Sequence, residues 1–323
     1  MTDISMIEAA AERAQGVVRR TALLSSPFLD AIAGRRVFAK CEALQHTGSF
    51  KFRGGWSAVS ALSPEVRARG VLAFSSGNHA QGVARAAELH GVPATIIMPA
   101  DAPRLKIENT RAMGADVVLY DRAGGEDRNA IGARLEAERG LTLIKPFDEP
   151  LVIAGQGTCG LEIAEQAAEE GVTQATVLTC CGGGGLTAGI ALALEARAPG
   201  MVVRPVEPEG FDDTARSLAS GGIVRNNGPE AGFCDAILTP APGNITFPIM
   251  SRLCGPGIVV TEAEVRAAMR HAFERLKVVA EPGGAVALAA ALFHGQELDD
   301  GPAIVTISGG NVDRGLFAEV LSD

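Results

Sequence analysis

The sequence Thr47-Gly48-Ser49-Phe50-Lys51-Phe52-Arg53-Gly54-Gly55 decides how the rest of the chain is interpreted. It places a lysine between two phenylalanines, with glycines on both sides. Glycine lets the backbone approach a ligand closely. Flanking aromatic rings desolvate an ammonium group, lower its pKa and leave a nucleophilic free amine. Such an amine suits a Schiff base with a carbonyl cofactor. The alternative for this segment by itself is a lysine that merely reaches the surface past apolar neighbours.

Composition excludes several classes of function. The chain has 323 residues, of which 47% are hydrophobic and only 4% aromatic, so a large core must consist mostly of Ala, Val, Leu and Ile. The net charge of −9 argues against nucleic acid or an anionic membrane as the main partner. No signal peptide and no apolar run of membrane-spanning length is visible. The six cysteines match no zinc pattern, which indicates reduced thiols in a cytoplasmic protein.

Strand and helix patterns alternate along most of the chain. Ser5-Met6-Ile7-Glu8 reads as a capping box at the first helix, and a later helix is expected from Thr158 to Glu170. Residues 221–256 show no periodicity and stay unassigned. The principal strand patterns lie at 71–74, 94–98, 116–120, 175–179, 202–206 and 303–307. Alternation of this kind predicts an α/β fold with parallel sheets covered by helices on both faces, in two domains with a cleft between them.

A run of glycines follows the strand pattern at 175–179 and precedes a helix. Successive backbone N–H groups in Gly182-Gly183-Gly184-Gly185-Leu186, together with the helix N-terminus, form an anion cradle that the absence of side chains keeps open. We therefore predict a phosphate site here. One alternative is a dinucleotide site, because Gly183 to Ala188 fits the pattern G-x-G-x-x-G/A and Glu207 follows at the distance of its ribose-binding acid.

Three further strand ends carry polar residues. Ser75-Ser76-Gly77-Asn78-His79 offers hydroxyl and N–H groups to a carboxylate, or simply caps the following helix. Ser308-Gly309-Gly310-Asn311 supplies a hydroxyl for a heteroaromatic nitrogen, or is a turn. Glu207 to Asp213 clusters carboxylates that bind a hard cation or begin a solvated helix. Ligands of parallel α/β sheets bind at such carboxyl ends of strands.

In this order, the motifs resemble the fold-type II pyridoxal-phosphate enzymes, and more narrowly the serine/threonine dehydratase and serine racemase group. The resemblance covers nearly the whole chain and rests on residues 49–54, 75–79, 153–158, 182–186 and 308–313. It implies two three-layer α/β domains arranged as in tryptophan synthase β, with the active site in the cleft. Residues 1–68 and 149–323 would form the large cofactor-binding domain and 69–148 the small substrate-side domain. The dinucleotide alternative leaves Lys51 and both serine turns without a role.

The resemblance also implies roles for single residues. Lys51 would hold pyridoxal 5′-phosphate as a Schiff base, and Ser76 would exchange a proton at the opposite face of the substrate. The implied cofactor contacts are Phe50, Lys51, Asn78, Gly182, Gly183, Gly184, Gly185, Leu186, Glu281 and Ser308. The implied substrate contacts are Ser75, Ser76, Asn78, His79 and Arg128. The implied ligands of a divalent cation (Mg, Ca or Mn) are Glu207, the carbonyl group of Phe211, and Asp213.

The expected reaction is α,β-elimination from a small β-hydroxy amino acid, L-threonine or L-serine, which gives a 2-oxo acid and ammonia. Two departures from the family pattern weaken a plain threonine assignment: Lys145 stands where His is usual, and Cys234-Asp235-Ala236 where Ala-Asp-Gly is common. Arg128 favours 3-hydroxyaspartate as an alternative substrate, because it can bind a side-chain carboxylate. A hydroxylated diamino acid is a further alternative substrate, because Asp148 and Glu149 can bind a second amine.

The expected partners are a small amino-acid substrate and, from the resemblance, a second copy of the chain in a homodimer. Racemisation of serine or aspartate is expected as a side activity if Ser76 has the implied role. A carrier or sensor that binds pyridoxal phosphate or a nucleotide without turnover is the alternative outside enzymology.

Overall fold

The backbone folds into helices packed on two sheets. The computed structural model describes residues 2–75, 77–102, 104–121, 124–227 and 232–322, with the side chain of Leu105 left aside. The strands are β1 (Leu23–Ser25), β2 (Val37–Cys41), β3 (Val71–Phe74), β4 (Ala94–Pro99), β5 (Asp116–Tyr120), β6 (Thr142–Leu143), β7 (Ala175–Cys180), β8 (Met201–Pro208), β9 (Ile258–Val260) and β10 (Ala303–Ile307). The helices are α1 (Ile4–Ala14), α2 (Pro27–Ala33), α3 (Lys51–Ser60), α4 (Pro64–Arg69), α5 (Asn78–His90), α6 (Arg104–Ala112), α7 (Arg128–Arg139), α8 (Pro150–Glu169), α9 (Gly185–Arg197), α10 (Asp213–Ser220), α11 (Thr246–Leu253), α12 (Glu262–His271), α13 (Pro282–Phe293) and α14 (Arg314–Ser322).

Both sheets are parallel or nearly so, which confirms the predicted α/β class. The larger sheet has the order β1-β2-β10-β7-β8-β9, and β1 runs antiparallel to its neighbour. The smaller sheet has the order β5-β4-β3-β6 and is parallel throughout. Its strands all fall within the range 69–148, and those of the larger sheet fall outside it. The domain boundaries themselves stay a prediction.

Local capping explains where the structure departs from the sequence-based expectations. The first helix is capped by Asp3, whose carboxylate accepts the N–H of Met6, so the capping box predicted at Ser5 is wrong. Helix α8 begins at Pro150, well before the expected Thr158, because the carboxylate of Glu149 accepts the first free N–H groups and proline favours the first helical position. The unassigned segment 221–256 contains helix α11.

A close contact between two helices positions the residues around Lys51. Helix α3, which begins at Lys51, packs on α5, the helix that follows β3 of the smaller sheet. A Cβ atom on Gly55 would lie 2.9 Å from the carbonyl oxygen of Gly82. A Cβ atom on Gly82 would lie 2.9 Å from the carbonyl group of Lys51. Larger residues would force these helices apart, so the glycine pair keeps Lys51 close to the start of α5.

A buried ion cluster lies directly behind the lysine segment. The guanidinium of Arg53 donates to both carboxylate oxygens of Glu42 and to both of Glu162, at 2.7–2.8 Å. The ammonium of Lys40 also pairs with Glu162. The side chains of Arg53, Glu42 and Lys40 are at most 1% exposed. The ion pairs and hydrogen bonds among these side chains therefore offset the free-energy cost of burying their charges.

Two global observations bear on the expected compartment. No helix of the described residues is long and apolar enough to cross a bilayer. All six cysteines belong to the described part of the chain and are free thiols, five of them buried.

Candidate active site

A cavity of about 540 Å³ opens at the carboxyl ends of strands from both sheets. Ser75 follows β3, Lys145 follows β6, Gly182 follows β7 and Ser308 follows β10, and all four line the cavity. Lys51 lines it as well. Residues from distant parts of the sequence thus meet where parallel sheets commonly bind ligands.

Lys51 points its amine into this cavity. Its Nζ donates to the carbonyl oxygen of Pro146 at 2.8 Å and lies 5.1 Å from the centre of the Phe50 ring. Burial lowers the pKa of this amine to about 8, against the opposing effect of the Glu281 carboxylate. About a tenth of the amine is therefore unprotonated at pH 7, far more than for an ordinary lysine, and the fraction of nucleophilic free amine rises steeply through pH 8.

The glycine loop, residues 182–186, lines the cavity and has five backbone N–H groups without a hydrogen-bond partner among the described residues. Those of Gly182, Gly183 and Gly184 donate to no described residue. Gly185 and Leu186 begin helix α9, where the first N–H groups have no helix carbonyl to bond. Such donors, together with the helix dipole, can bind an anion, and the phosphate site stays a prediction.

The loop needs glycine for reasons beyond access for an anion. A Cβ atom on Gly183 would lie 2.3 Å from the Phe147 ring, and one on Gly185 would lie 3.0 Å from the Phe147 side chain. Gly184 has φ of +88°, which L-residues rarely adopt. The absence of side chains at Gly183 and Gly185 thus leaves space for Phe147. At Gly184 it permits the left-handed backbone conformation.

A chain of side-chain hydrogen bonds links Asn78 to the larger sheet. Asn78 Nδ2 donates to Glu281 Oε1 at 2.6 Å, and its Oδ1 accepts from Asn311 Nδ2 at 2.7 Å. Burial raises the pKa of Glu281 to about 7, while the bond from Asn78 lowers it. Ser308 is buried beside the thiol of Cys180, and its carbonyl accepts the N–H of Phe50. These predicted cofactor contacts share one wall of the cavity.

The predicted carboxylate site has a fixed imidazole. His79 is 3% exposed, and its Nε2 bonds the carbonyl oxygen of Ile144 at 2.8 Å. A carbonyl only accepts, so Nε2 carries the proton and Nδ1 does not. Burial and the charge of Lys51 lower the pKa of His79 to about 3, so the ring is neutral at physiological pH. Ser75 accepts the N–H of Gly77 through its hydroxyl, and Ser76 lies outside the described residues.

Cationic side chains dominate the wall next to the smaller sheet. Arg128, Lys145 and Lys106 line the cavity. Lys106 is 3.5 Å from Asp235, a residue of the loop between α10 and α11. Neither Arg128 nor Lys145 has an ion pair or side-chain hydrogen bond with any described residue. The sequence did not predict Lys106 as a cavity residue, and it marked Asp235 only as part of the departure from the family pattern at residues 234–236.

Asp148 and Glu149, the residues that left a diamino acid possible as the substrate, accept hydrogen bonds from the N-termini of helices. Asp148 Oδ1 accepts the N–H of Ile245 at 2.7 Å, just before α11. The Glu149 carboxylate accepts the N–H groups of Leu151 and Val152 at 3.1 and 2.8 Å. Both oxygens of Glu149 and Oδ1 of Asp148 therefore accept backbone N–H groups, while Asp148 also lines the cavity.

The predicted cation ligands lie apart from the cavity lining. Glu207 is fully buried, and its two oxygens accept the N–H groups of Thr214 and Ala215. Burial, then the negative charge of Asp213, raises the pKa of Glu207 to about 8. Burial raises the pKa of Asp213 to about 6. Asp213 bonds Asn226 through Oδ1, whereas its buried Oδ2 has no partner among the described residues. Each oxygen of Glu207 thus accepts one N–H group at the start of α10.

Comparison with known proteins decides the family. A family model described as pyridoxal-phosphate-dependent enzyme matches residues 14–310. The chain belongs to this family. An L-threo-3-hydroxyaspartate ammonia-lyase from Pseudomonas sp. is 45% identical over 312 residues, which is 97% of this chain and 96% of that protein.

Solved structures agree with this assignment. A threonine deaminase from T.th. has a TM-score of 0.90 and 45% identity, and the match covers 96% of this chain and 99% of that one. Maize serine racemase has a TM-score of 0.92 and 37% identity, with 99% and 97% covered.

The residues of this pyridoxal-phosphate enzyme fit the cofactor. The free N–H groups of residues 182–186 suit its phosphate, and the amine of Lys51 suits its aldehyde. The sequence did not predict that Asn311 contacts Asn78, although the turn that contains Asn311 was recognised. Pro146, whose carbonyl holds the lysine amine, was also missed, and the unusual Lys145 beside it was the available signal.

Proposed function

We propose that this pyridoxal-phosphate enzyme is an ammonia-lyase that removes water from a β-hydroxy amino acid with a second carboxylate, 3-hydroxyaspartate. The observation that carries the proposal is the pair of cations in the cavity wall, Arg128 and Lys145, which have no ion pair with any described residue. Both residues line the cavity and are exposed, so they are available to an anionic ligand, and arginine binds carboxylates with two parallel hydrogen bonds. L-Threonine and L-serine offer no second carboxylate.

The elimination assigns a task to each group of residues. The bound cofactor supplies the electron sink that makes the Cα proton of an amino acid removable. Lys51, with its pKa of about 8, accepts that proton as a free amine. The N–H groups at residues 182–186 hold the phosphate, and the serine turn at 75–79 binds the α-carboxylate. Loss of the β-hydroxyl as water and hydrolysis of the dehydrated product give a 2-oxo acid and ammonia.

Ammonia release from four substrates tests the substrate class: L-threo- and L-erythro-3-hydroxyaspartate, L-threonine and L-serine. We expect kcat/KM to be highest for one of the hydroxyaspartates. In Arg128→Gln that preference over L-serine should fall about 10- to 100-fold, the cost of a lost charged hydrogen bond. Arg134→Gln is the matched control, because Arg134 is an exposed arginine of the same helix that does not line the cavity.

The threonine alternative rests on the 45% identity to a threonine deaminase. A preference for L-threonine that is unchanged in Arg128→Gln would establish the threonine alternative and reject 3-hydroxyaspartate as the substrate. Racemisation is measured in the same reactions by chiral analysis of the remaining substrate, with Ser76→Ala as the variant that should abolish it.

We also propose that a divalent cation binds Glu207, the carbonyl group of Phe211, and Asp213. Magnesium, calcium and manganese take oxygen ligands, and the buried Oδ2 of Asp213, unpartnered among the described residues, is available as one. No three His, Cys, Asp or Glu side chains in the described ranges form a cluster, so carbonyl groups and water would complete the site. Each of the three ions should raise the melting temperature of metal-stripped holoenzyme, and Asp213→Asn should remove the effect. An equal rise in the variant would reject this site.

The expected homodimer is the remaining proposal. Phe28 and Phe273 are 62% and 42% exposed, which supports a buried role for that surface in an assembly. Light scattering coupled to size exclusion measures the mass directly, and a mass of one chain at micromolar concentration would reject the dimer.

A further inference from the structure

Three hydrogen bonds in series connect Thr47, in the loop before Lys51, to Glu281. Asn311 Nδ2 donates to the carbonyl oxygen of Thr47 and to Asn78 Oδ1, both at 2.7 Å. Asn78 Nδ2 then donates to Glu281 Oε1 at 2.6 Å. The series joins the loop before Lys51, the first turn of α5 and the helix cap of α13.

The series permits one orientation of each amide. The Thr47 carbonyl can only accept, so the Asn311 atom beside it must be the nitrogen. The same nitrogen lies 2.7 Å from the Asn78 amide, where a second nitrogen would place donor against donor. Asn78 therefore turns its oxygen to Asn311, and its Nδ2 faces Glu281 and the cavity. The carbonyl group of Thr47 thus fixes the orientation of the Asn78 amide through Asn311, without contacting Asn78 itself.

The surrounding backbone is shaped to keep this series intact. Thr47 adopts φ of +59°, an unfavourable conformation for a β-branched residue, and Gly48 follows with φ of +72°. A Cβ atom on Gly48 would lie 2.5 Å from Asn311 Oδ1. A Cβ atom on Gly309 would lie 2.0 Å from Glu281 Oε1 and 3.2 Å from Asn78 Nδ2. Strain that persists in a packed site indicates that neighbouring contacts require it.

We propose that Asn311 is a positioning residue that orients the Asn78 amide so that its N–H donor, and not its carbonyl, meets the phenolic oxygen of the cofactor. The inference rests on the proposed place of Asn78 at that oxygen. Asn311→Asp makes residue 311 an acceptor of nearly the same shape. Turning the Asn78 amide then replaces the bond from Nδ2 to Glu281 with a bond to residue 311, and its Oδ1 faces the phenolic oxygen and Glu281, both of which are oxygen atoms.

The test compares two cofactors on the same apoprotein: pyridoxal 5′-phosphate and its 3-deoxy analogue, which lacks the phenolic oxygen. The ratio of their dissociation constants, measured by equilibrium dialysis, isolates contacts to that oxygen. In the unmodified protein we expect the natural cofactor to bind more tightly. In Asn311→Asp and in Asn78→Ala the ratio should fall on the order of 10- to 100-fold toward one, and the double variant should fall no further.

Asn109→Asp is the matched control, since it makes the same change on an exposed position of α6, and its ratio should not change. Melting of each apoprotein by circular dichroism establishes that the variants are folded. If Asn311→Asp weakens both cofactors equally, residue 311 has only a structural role and the inference is wrong. If Asn78→Ala leaves the ratio unchanged, the proposed contact between Asn78 and the phenolic oxygen is wrong instead.

Discussion

Replacing Arg53 by methionine tests how the buried ion cluster stabilises the lysine segment. Arg53 is 1% exposed and Glu42 is 0% exposed, and they share two hydrogen bonds of 2.7 and 2.8 Å. Methionine keeps the apolar stem and leaves the Glu42 carboxylate buried without its main counter-charge. Breaking a buried pair from one side costs about 3–5 kcal/mol. We expect the free energy of unfolding to fall by that amount.

The pH dependence of this loss has a definite sign. Burial alone would raise the pKa of Glu42, but Arg53, Lys40 and Thr21 bring it below its usual value. A depressed folded pKa contributes stability that is present above the unfolded pKa and is lost as pH falls through the folded pKa. Without Arg53, burial raises the folded pKa above the unfolded one. The difference between the two proteins should therefore be larger at about pH 8 than at about pH 5.

Urea unfolding of the holoenzyme at fixed cofactor concentration, followed by far-ultraviolet circular dichroism, measures the effect. Arg252→Met is the matched control, because Arg252 also binds both oxygens of a glutamate, Glu195, with the two side chains 56% and 44% exposed. Exposed pairs contribute about 0–1 kcal/mol. Equal losses in the two variants, or a loss in Arg53→Met that does not grow with pH, would refute the reasoning.

Three further predictions concern the cavity. Because the pKa of Lys51 is about 8, the rate at which apoprotein captures pyridoxal 5′-phosphate should rise as pH increases through about 8; a flat stopped-flow profile would contradict this. Gly183→Ala places a Cβ atom 2.3 Å from the Phe147 ring and should weaken cofactor binding by about tenfold or more, whereas Gly222→Ala, which has open space around it, should not. The His79 ring signal in NMR spectra should stay constant between about pH 5 and pH 8, since burial holds its pKa near 3; titration in that interval would show that the ring is hydrated.

The sequence predicted those parts of the fold that periodicity controls. Strands β3, β5 and β10 begin and end at the residues that the sequence pattern predicts. The start of α8 was missed because Gly155 and Gly157 are poor helix formers, and tertiary packing overrides their preference. The cap at Asp3 was missed because two acceptable capping residues, Asp3 and Ser5, lie close together.

The candidate site was predictable only as far as its motifs reach. Lys51 and the glycine loop carry their chemistry in local sequence, so the order of residues alone is enough to identify them. The bond between Asn78 and Asn311 joins residues 233 positions apart, and local pattern contains no information about such a pair. The same holds for Lys106 and Asp235, which meet only because two separate segments fold against one another.

The position of β10 has a consequence for how the protein is made. This strand emerges late from the ribosome, yet it lies between β2 and β7 and pairs with both. The four strands of the smaller sheet are contiguous in sequence, so that sheet can assemble while synthesis continues. The larger sheet cannot be completed until β10 has been synthesised. The vitamin can therefore be captured only after Lys51 and the turn at Ser308, which are far apart in sequence, have come together. Nascent chains that stall before residue 300 should therefore contain an ordered smaller sheet and no bound vitamin.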